Sequence, residues 1–253
     1  MNFGINGKLA VITGSAKGIG KAIAKALAEE KCSVILLDVD QQKLEQTKGE
    51  ILKAGGKATS YILDISKRDE VFHTFRLLEE QYGQIEILIN NAGIIRQMDT
   101  SKLTDEEFNI VYNINFKGAL YCCQSVMEGM RQNGWGRIVN ICSLVVKMIG
   151  KPNVVSYAAS KASLVALTKI LAKDLGPNGV TVNGILPGSI AITDFNDSIG
   201  YPKSIKLMEG MNIPVGRRGT PDDIAPAVAF LCSKQAGYIT GELFDINGGL
   251  LMD

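Results

Sequence analysis

Seven short apolar runs alternate along the chain with longer stretches of helical period. The runs are Leu9–Thr13, Ser33–Asp38, Ala58–Leu63, Ile85–Ile89, Arg137–Cys142, Val180–Ile185 and Glu242–Ile246. Each is too short for a helix, rich in Val, Ile and Leu, and lacks strict polar alternation, the pattern of strands buried on both faces of a parallel sheet. The helical stretches between them are Ile19–Glu30, Gln42–Ala54, Arg68–Tyr82, Asp105–Arg131, Ser156–Leu175 and Pro221–Ser233. This β-α alternation predicts an α/β fold, a doubly wound, seven-stranded parallel sheet with helices on both faces. No repeat or linker divides the 253 residues, so a single domain over 1–253 is expected. The segment 188–214, bounded by Pro187 and Pro214, fits no element and is expected to be a substrate lid.

Charge and cysteine content remove several function classes. Lys plus Arg total 27 and Asp plus Glu 26, a net charge of +1. That balance gives no basic field for nucleic acid or an anionic membrane. No apolar run approaches the roughly 20 residues that span a bilayer. No signal peptide is visible, and the 5 cysteines include no C-x-x-C pair, so reduced thiols and a cytoplasmic location are expected. The single histidine, His73, rules out a Ser-His-Asp hydrolase and the usual zinc sites, so no metal is expected.

After the first run the chain reads Thr13-Gly14-Ser15-Ala16-Lys17-Gly18-Ile19-Gly20 and enters a helix. Glycines there let the backbone turn sharply and approach a pyrophosphate, while the helix N-terminus offers free N–H groups. Asp38 closes the second strand near the offset at which an acidic group meets the adenosine ribose. It favours NAD over NADP, whose 2′-phosphate it would repel; Lys17 argues the other way. Asp64 follows the third strand and is a candidate contact for the adenine amino group. Asn91, Ala92 and Gly93 follow Asn90 in a turn at the carboxyl end of strand four, on the cofactor side of such a sheet.

Tyr157 and Lys161 lie one helical turn apart, on one face. A tyrosine, with its usual pKa of about 10, is a poor base at neutral pH. Lys161 and the positive charge of an oxidised nicotinamide both favour phenolate, so the Tyr157 pKa is expected to fall toward working pH. Ser143, ending strand five, is placed to donate to a substrate oxygen.

Taken together these residues resemble the short-chain dehydrogenase/reductase family in its single-domain form. The resemblance implies a Rossmann fold, a nicotinamide cofactor and a catalytic set of Ser143, Tyr157 and Lys161. It further implies Asn115 as a fourth catalytic residue, holding a water in a proton relay with the lysine. Ile65, Pro187, Gly188 and Ile190 join the cofactor contacts by the same resemblance. The family's threonine falls one place late, as Thr193. Gly241, Asn247, Gly248 and Gly249 match its last strand and turn.

The expected activity is hydride transfer between NAD and a secondary alcohol or ketone, a small-molecule substrate. The alternatives are an NADPH-dependent 3-oxoacyl-acyl-carrier-protein reductase and, in another class, a non-catalytic nucleotide sensor or scaffold. Arg96, Lys147 and Lys151 are candidates to border the pocket mouth and favour an anionic substrate. Val111, Leu120, Val126, Ala158, Leu164 and Leu167 put apolar residues over more than one face of their helices, which calls for a partner surface. The resemblance implies a homotetramer.

Overall fold

The computed structural model describes residues 3–149, 153–191 and 212–252. Seven parallel strands form one sheet in the order β3-β2-β1-β4-β5-β6-β7. They are β1 (Leu9–Thr13), β2 (Ser33–Asp38), β3 (Lys57–Ile62), β4 (Ile87–Asn90), β5 (Gly136–Ile141), β6 (Val180–Pro187) and β7 (Leu243–Ile246). Val11 lies between Ile35 of β2 and Leu88 of β4, in register with both. The chain order reverses between β1 and β4. In an open sheet that reversal leaves a crevice outside the carboxyl ends of the strands, where ligands bind.

The helices are α1 (Gly18–Glu29), α2 (Gln41–Lys53), α3 (Arg68–Tyr82), α4 (Asp105–Tyr112), α5 (Ala119–Asn133), α6 (Val155–Leu175) and α7 (Pro221–Cys232). Side chains of α1, α2 and α7 fill one layer of core, with Ile23, Leu27, Leu44 and Val228 fully buried. Side chains of α3, α5 and α6 fill the other, around Phe75, Leu78, Val126 and Leu164. Each such side chain stabilises the fold by roughly 1.5–3 kcal/mol relative to exposure. Asp40 caps α2 by accepting from Lys43 N at 3.1 Å. Thr220 and Asp223 form a reciprocal capping box that opens α7 at Pro221.

Strands β1 and β2 coincide with the apolar runs, and the other strand boundaries differ from the sequence reading by at most two residues. The larger difference is in the stretch read as one helix over Asp105–Arg131. It is α4, a π-helical segment Asn113–Gly118, and α5. A π turn inserts a residue into the helical ladder and commonly marks a functional site. Its last residue, Gly118, lets the helix pack closely on the turn after β3, where a Cβ would stand 2.6 Å from Ile65 Cδ1.

Val111, Val126, Leu164 and Leu167 are buried within the chain itself, so they supply no partner surface. Leu120 and Ala158 are half-buried, and Ile170 of α6 is 64% exposed. All 5 cysteines are free and buried. Cys32 and Cys232 lie in the α1–α7 layer, and Cys122, Cys123 and Cys142 in the other. His73 is exposed beside Arg76. Trp135 is packed between Lys8 and Arg137, at 4.3 and 4.5 Å from its ring centroid. Among the described residues no helix is long and apolar enough to cross a membrane, and no group of acidic, His and Cys side chains could hold a metal.

Candidate active site

A cleft of about 650 Å³ opens at the carboxyl ends of the strands. Gly14, Lys17, Gly18 and Ile19 form its wall after β1, and Asp38 lies at the end of β2. Asp64 and Ile65 after β3, Asn91–Gly93 after β4, and Ser143 after β5 line it as well. Tyr157 and Lys161 of α6, with Pro187, Gly188 and Ile190 after β6, complete the wall. Residues separated by 176 positions in sequence thus share one concave surface, because every crossover returns to the same edge of the sheet. Thr193 and Lys151, with most of the expected lid, lie outside the described residues.

The glycine loop is shaped for a close ligand. Gly14 has φ +64°, and a Cβ there would sit 2.7 Å from Ala92 Cα. Asn91 holds this junction, its Nδ2 donating to Thr13 O at 3.0 Å and Gly14 O at 2.8 Å. Its side chain therefore braces the loop, and its turn faces the cleft. Ser15 and Gly20, expected as cofactor contacts, are both buried and stand behind the wall. Ser15 Oγ donates to Leu37 O at 3.3 Å, and Gly20 packs against Gly14 O and Asn91. The local pattern marks the loop but not which way each residue of it turns.

Asp38 accepts three backbone N–H groups, from Ala16 at 3.0 Å, Val39 at 2.8 Å and Asp40 at 3.1 Å. The carboxylate thus anchors the glycine loop while lining the cleft. Asp64 Oδ1 accepts from Ser66 N and Ser66 Oγ at 2.9 and 2.7 Å, which fixes the turn after β3.

Ser143, Tyr157 and Lys161 meet as expected. Ser143 Oγ accepts from Val145 N at 3.2 Å and is hydrogen-bonded to Tyr157. Lys161 Nζ stands 5.8 Å from the Tyr157 ring centroid. Burial pushes the phenol up to about 12; the Ser143 hydrogen bond opposes this and nearby Cys142 adds to it. The expected fall toward neutrality is thus not produced by the chain alone, because desolvating a phenolate outweighs the Ser143 hydrogen bond that opposes it. Burial brings Lys161 down to about 8, with Cys142 acting against it.

Asn115 lies behind the wall, and Ile114 faces the cleft. Asn115 Oδ1 accepts from Ile94 N at 2.8 Å, and its Nδ2 donates to Ile94 O at 2.8 Å and Ser160 Oγ at 3.0 Å. Both amide hydrogens are spent, so a relay through this residue must use its carbonyl groups. A Cβ on Gly93 would be 3.2 Å from Asn115 Oδ1 and 3.5 Å from Lys161 Nζ, so all three share one corner.

Two of the three cations expected to border the pocket mouth are engaged in ion pairs. Arg96 is paired with Glu107 and Lys147 with Asp245, both at 2.6 Å. The carboxylates come from α4 and from β7, 98 residues further along the chain from Lys147. Sequence reading missed Arg218, which lines the cleft from the loop before α7. Nothing in the local Gly-Arg-Arg-Gly pattern distinguishes it from Arg217.

The residues fit a dinucleotide: a glycine cradle that a Cβ would close, a carboxylate at one end and a hydroxyl–phenol–ammonium set at the other. The family described as enoyl-(acyl carrier protein) reductase matches residues 14–251. The 3-oxoacyl-[acyl-carrier-protein] reductase FabG of Thermotoga maritima is 35% identical, over 98% of this chain and 99% of its own. The short-chain reductase protein NovJ of Streptomyces niveus is 35% identical, over 95% of this chain and 93% of its own. Among solved structures, a putative short-chain alcohol dehydrogenase from Sinorhizobium meliloti superposes with TM-score 0.92 at 32% identity, covering 99% of this chain and 98% of that one. With sheet order, cleft and relatives in agreement over nearly the whole length, the chain belongs to the short-chain dehydrogenase/reductase family, oxidoreductases on a Rossmann fold that use NAD(P).

Proposed function

We propose that the chain transfers a hydride between NAD(H) and a secondary alcohol or ketone. The observation that carries this reading is the meeting of Ser143, Tyr157 and Lys161 in one cleft, with Tyr157 bonded to Ser143. When bound, the nicotinamide supplies the hydride acceptor for oxidation or the donor for reduction. Tyr157 Oη takes the substrate hydroxyl proton in oxidation and returns it in reduction. Ser143 Oγ already accepts from Val145 N, which leaves its proton to be donated to Tyr157 or to a substrate oxygen. Lys161 keeps an ammonium beside the phenol and holds the ribose, and a carbonyl oxygen of Asn115 accepts from the water that carries the proton onward from the lysine. Because burial holds the Tyr157 pKa high, positive charge gathered around it is what brings the phenolate within reach.

Asp38 supports NAD over NADP. A hydrogen bond to a carboxylate contributes roughly 1.5–3 kcal/mol, whereas an exposed Lys–phosphate pair such as Lys17 would offer contributes about 0–1 kcal/mol. A second reading, an NADPH-dependent 3-oxoacyl-acyl-carrier-protein reductase, is favoured by the full-length likeness to the Thermotoga enzyme. A non-catalytic sensor is disfavoured by the intact Ser-Tyr-Lys set. The test is NAD- and NADP-dependent oxidation of a panel of polyols, hydroxy acids and secondary alcohols, beside reduction of a 3-oxoacyl thioester with NADH and NADPH. NADPH-preferring reduction of the thioester would replace the first reading with the second. Tight cofactor binding without turnover on either panel would leave the sensor.

A further inference from the structure

Two arginines stand next to each other before α7, and they are used differently. Arg217 is committed to Asp223, with two contacts of 2.7 Å. Arg218 is half-buried, lines the cleft, and makes no ion pair among the described residues. Its Nε donates to Ser189 Oγ at 3.0 Å and its Nη2 to Ile190 O at 2.7 Å. Those two bonds leave three of the five guanidinium N–H groups uncommitted among the described residues. The anchoring turn is itself firm: Ala191 N donates to Gly219 O at 2.7 Å and Gly219 N to Ser189 O at 3.0 Å. A planar, permanently charged fork fixed on one edge and open on the other is a recognition element for an oxyanion.

The face of the sheet decides which oxyanion. Helices α1 and α7 are packed against each other on one face and both begin at the carboxyl edge of the sheet, so Arg218, just ahead of α7, stands on the side where α1 begins. Ile19 in the first turn of α1 and Ile190 under the guanidinium pack on the same core layer. Tyr157 and Lys161 belong to α6, which covers the opposite face. The negative centre of a bound dinucleotide belongs at the α1 terminus, where free N–H groups and the glycine loop face the cleft. A substrate carboxylate would sit on the far side, beside Tyr157.

We propose that Arg218 is a cofactor-binding residue whose guanidinium grips the pyrophosphate of the dinucleotide. The proposal rests on the dinucleotide reading of the cleft. The experiment is calorimetric titration of wild type, Arg218→Leu and Arg218→Lys with ADP-ribose, which carries the pyrophosphate, and with adenosine, which does not. Arg218→Leu is expected to weaken ADP-ribose about 10- to 100-fold, the factor expected of a charged hydrogen bond, and to leave adenosine unchanged. Arg218→Lys should recover part of the loss. Equal affinity of wild type and Arg218→Leu for ADP-ribose would overturn the proposal, as would equal weakening of both ligands, which marks a purely structural role. Unchanged ADP-ribose binding with a raised KM only for acidic substrates would assign Arg218 to the substrate instead. Failure of wild type to bind ADP-ribose or NADH at all would remove the dinucleotide reading itself.

Discussion

Lys161 Nζ donates to the carbonyl oxygen of Ile141 at 2.7 Å, tying the buried ammonium of α6 to the last residue of β5. That bond orients the charge but does not offset its desolvation, since burial lowers the Lys161 pKa from 10.5 to about 8. Below pH 8 the folded chain carries a buried cation and bears the full penalty. Between 8 and 10.5 the folded form is neutral while the unfolded form is still charged, and the penalty fades to nothing. Urea melts of wild type and Lys161→Met should therefore converge or cross in favour of wild type by about 3 kcal/mol as pH rises from 8 to 10.5. A stability difference constant with pH would show that the folded lysine titrates as it does in the unfolded chain, with no lowering by burial.

Tyr157→Phe keeps the ring and removes the proton-transfer group. Turnover should fall by about 10²–10⁴-fold with NADH affinity retained, measured by steady-state assay and cofactor fluorescence. Lys161→Ala should weaken both. Near-normal hydride transfer by Tyr157→Phe would exclude the phenol from the chemistry.

Asp38→Ala removes the acceptor at the end of β2 and also the partner of Ala16 N. Wild type is expected to prefer NAD by about 10- to 100-fold in kcat/KM, the weight of one charged hydrogen bond. The variant should narrow or reverse that ratio while binding both cofactors less tightly, because the glycine loop loses its anchor. A wild type that prefers NADPH would sink the assignment.

Asn115→Leu would leave Ile94 N and Ile94 O without this partner and remove one donor to Ser160 Oγ, which still donates to Tyr157 O. Unsatisfied buried polar groups cost about 1–3 kcal/mol each, and some of these can relax, so a loss of about 2–4 kcal/mol is expected in urea unfolding. A variant as stable as wild type would show that the clamp on Ile94 is dispensable.

Assembly can be read directly. Ile170 is 64% exposed on α6, and a homotetramer is the expectation that the family resemblance carries. Light scattering at micromolar concentration should return four times the 27.3 kDa chain mass. A monomer mass would reject the expectation.

Much of this architecture was legible in the sequence because it rests on period and punctuation. β1 and β2 begin and end where the apolar runs do, and α7 starts at the Pro221 that the acidic pair Asp222-Asp223 follows. What could not be read depends on residues distant in sequence. The fates of Arg96 and Lys147 were set by Glu107 and Asp245. The π segment around Asn115 carries the same apolar spacing as the helices beside it, so periodicity cannot reveal the extra residue. The Tyr157 pKa turned on how deeply α6 buries the phenol, which no spacing encodes. Arg218 differed from Arg217 only once the fold had given Asp223 to one of them.

The cysteines give this chain a built-in record of its own opening. All five are buried in the folded chain, although Cys142 borders the cleft, and burial raises the pKa of every one, so an alkylating reagent finds little thiolate. Cys32 and Cys232 report on one layer of core, and Cys122, Cys123 and Cys142 on the other. Pulse-alkylation followed by peptide mass mapping would therefore time the exposure of each layer separately, and tell whether the two halves of this sandwich come apart together or one ahead of the other.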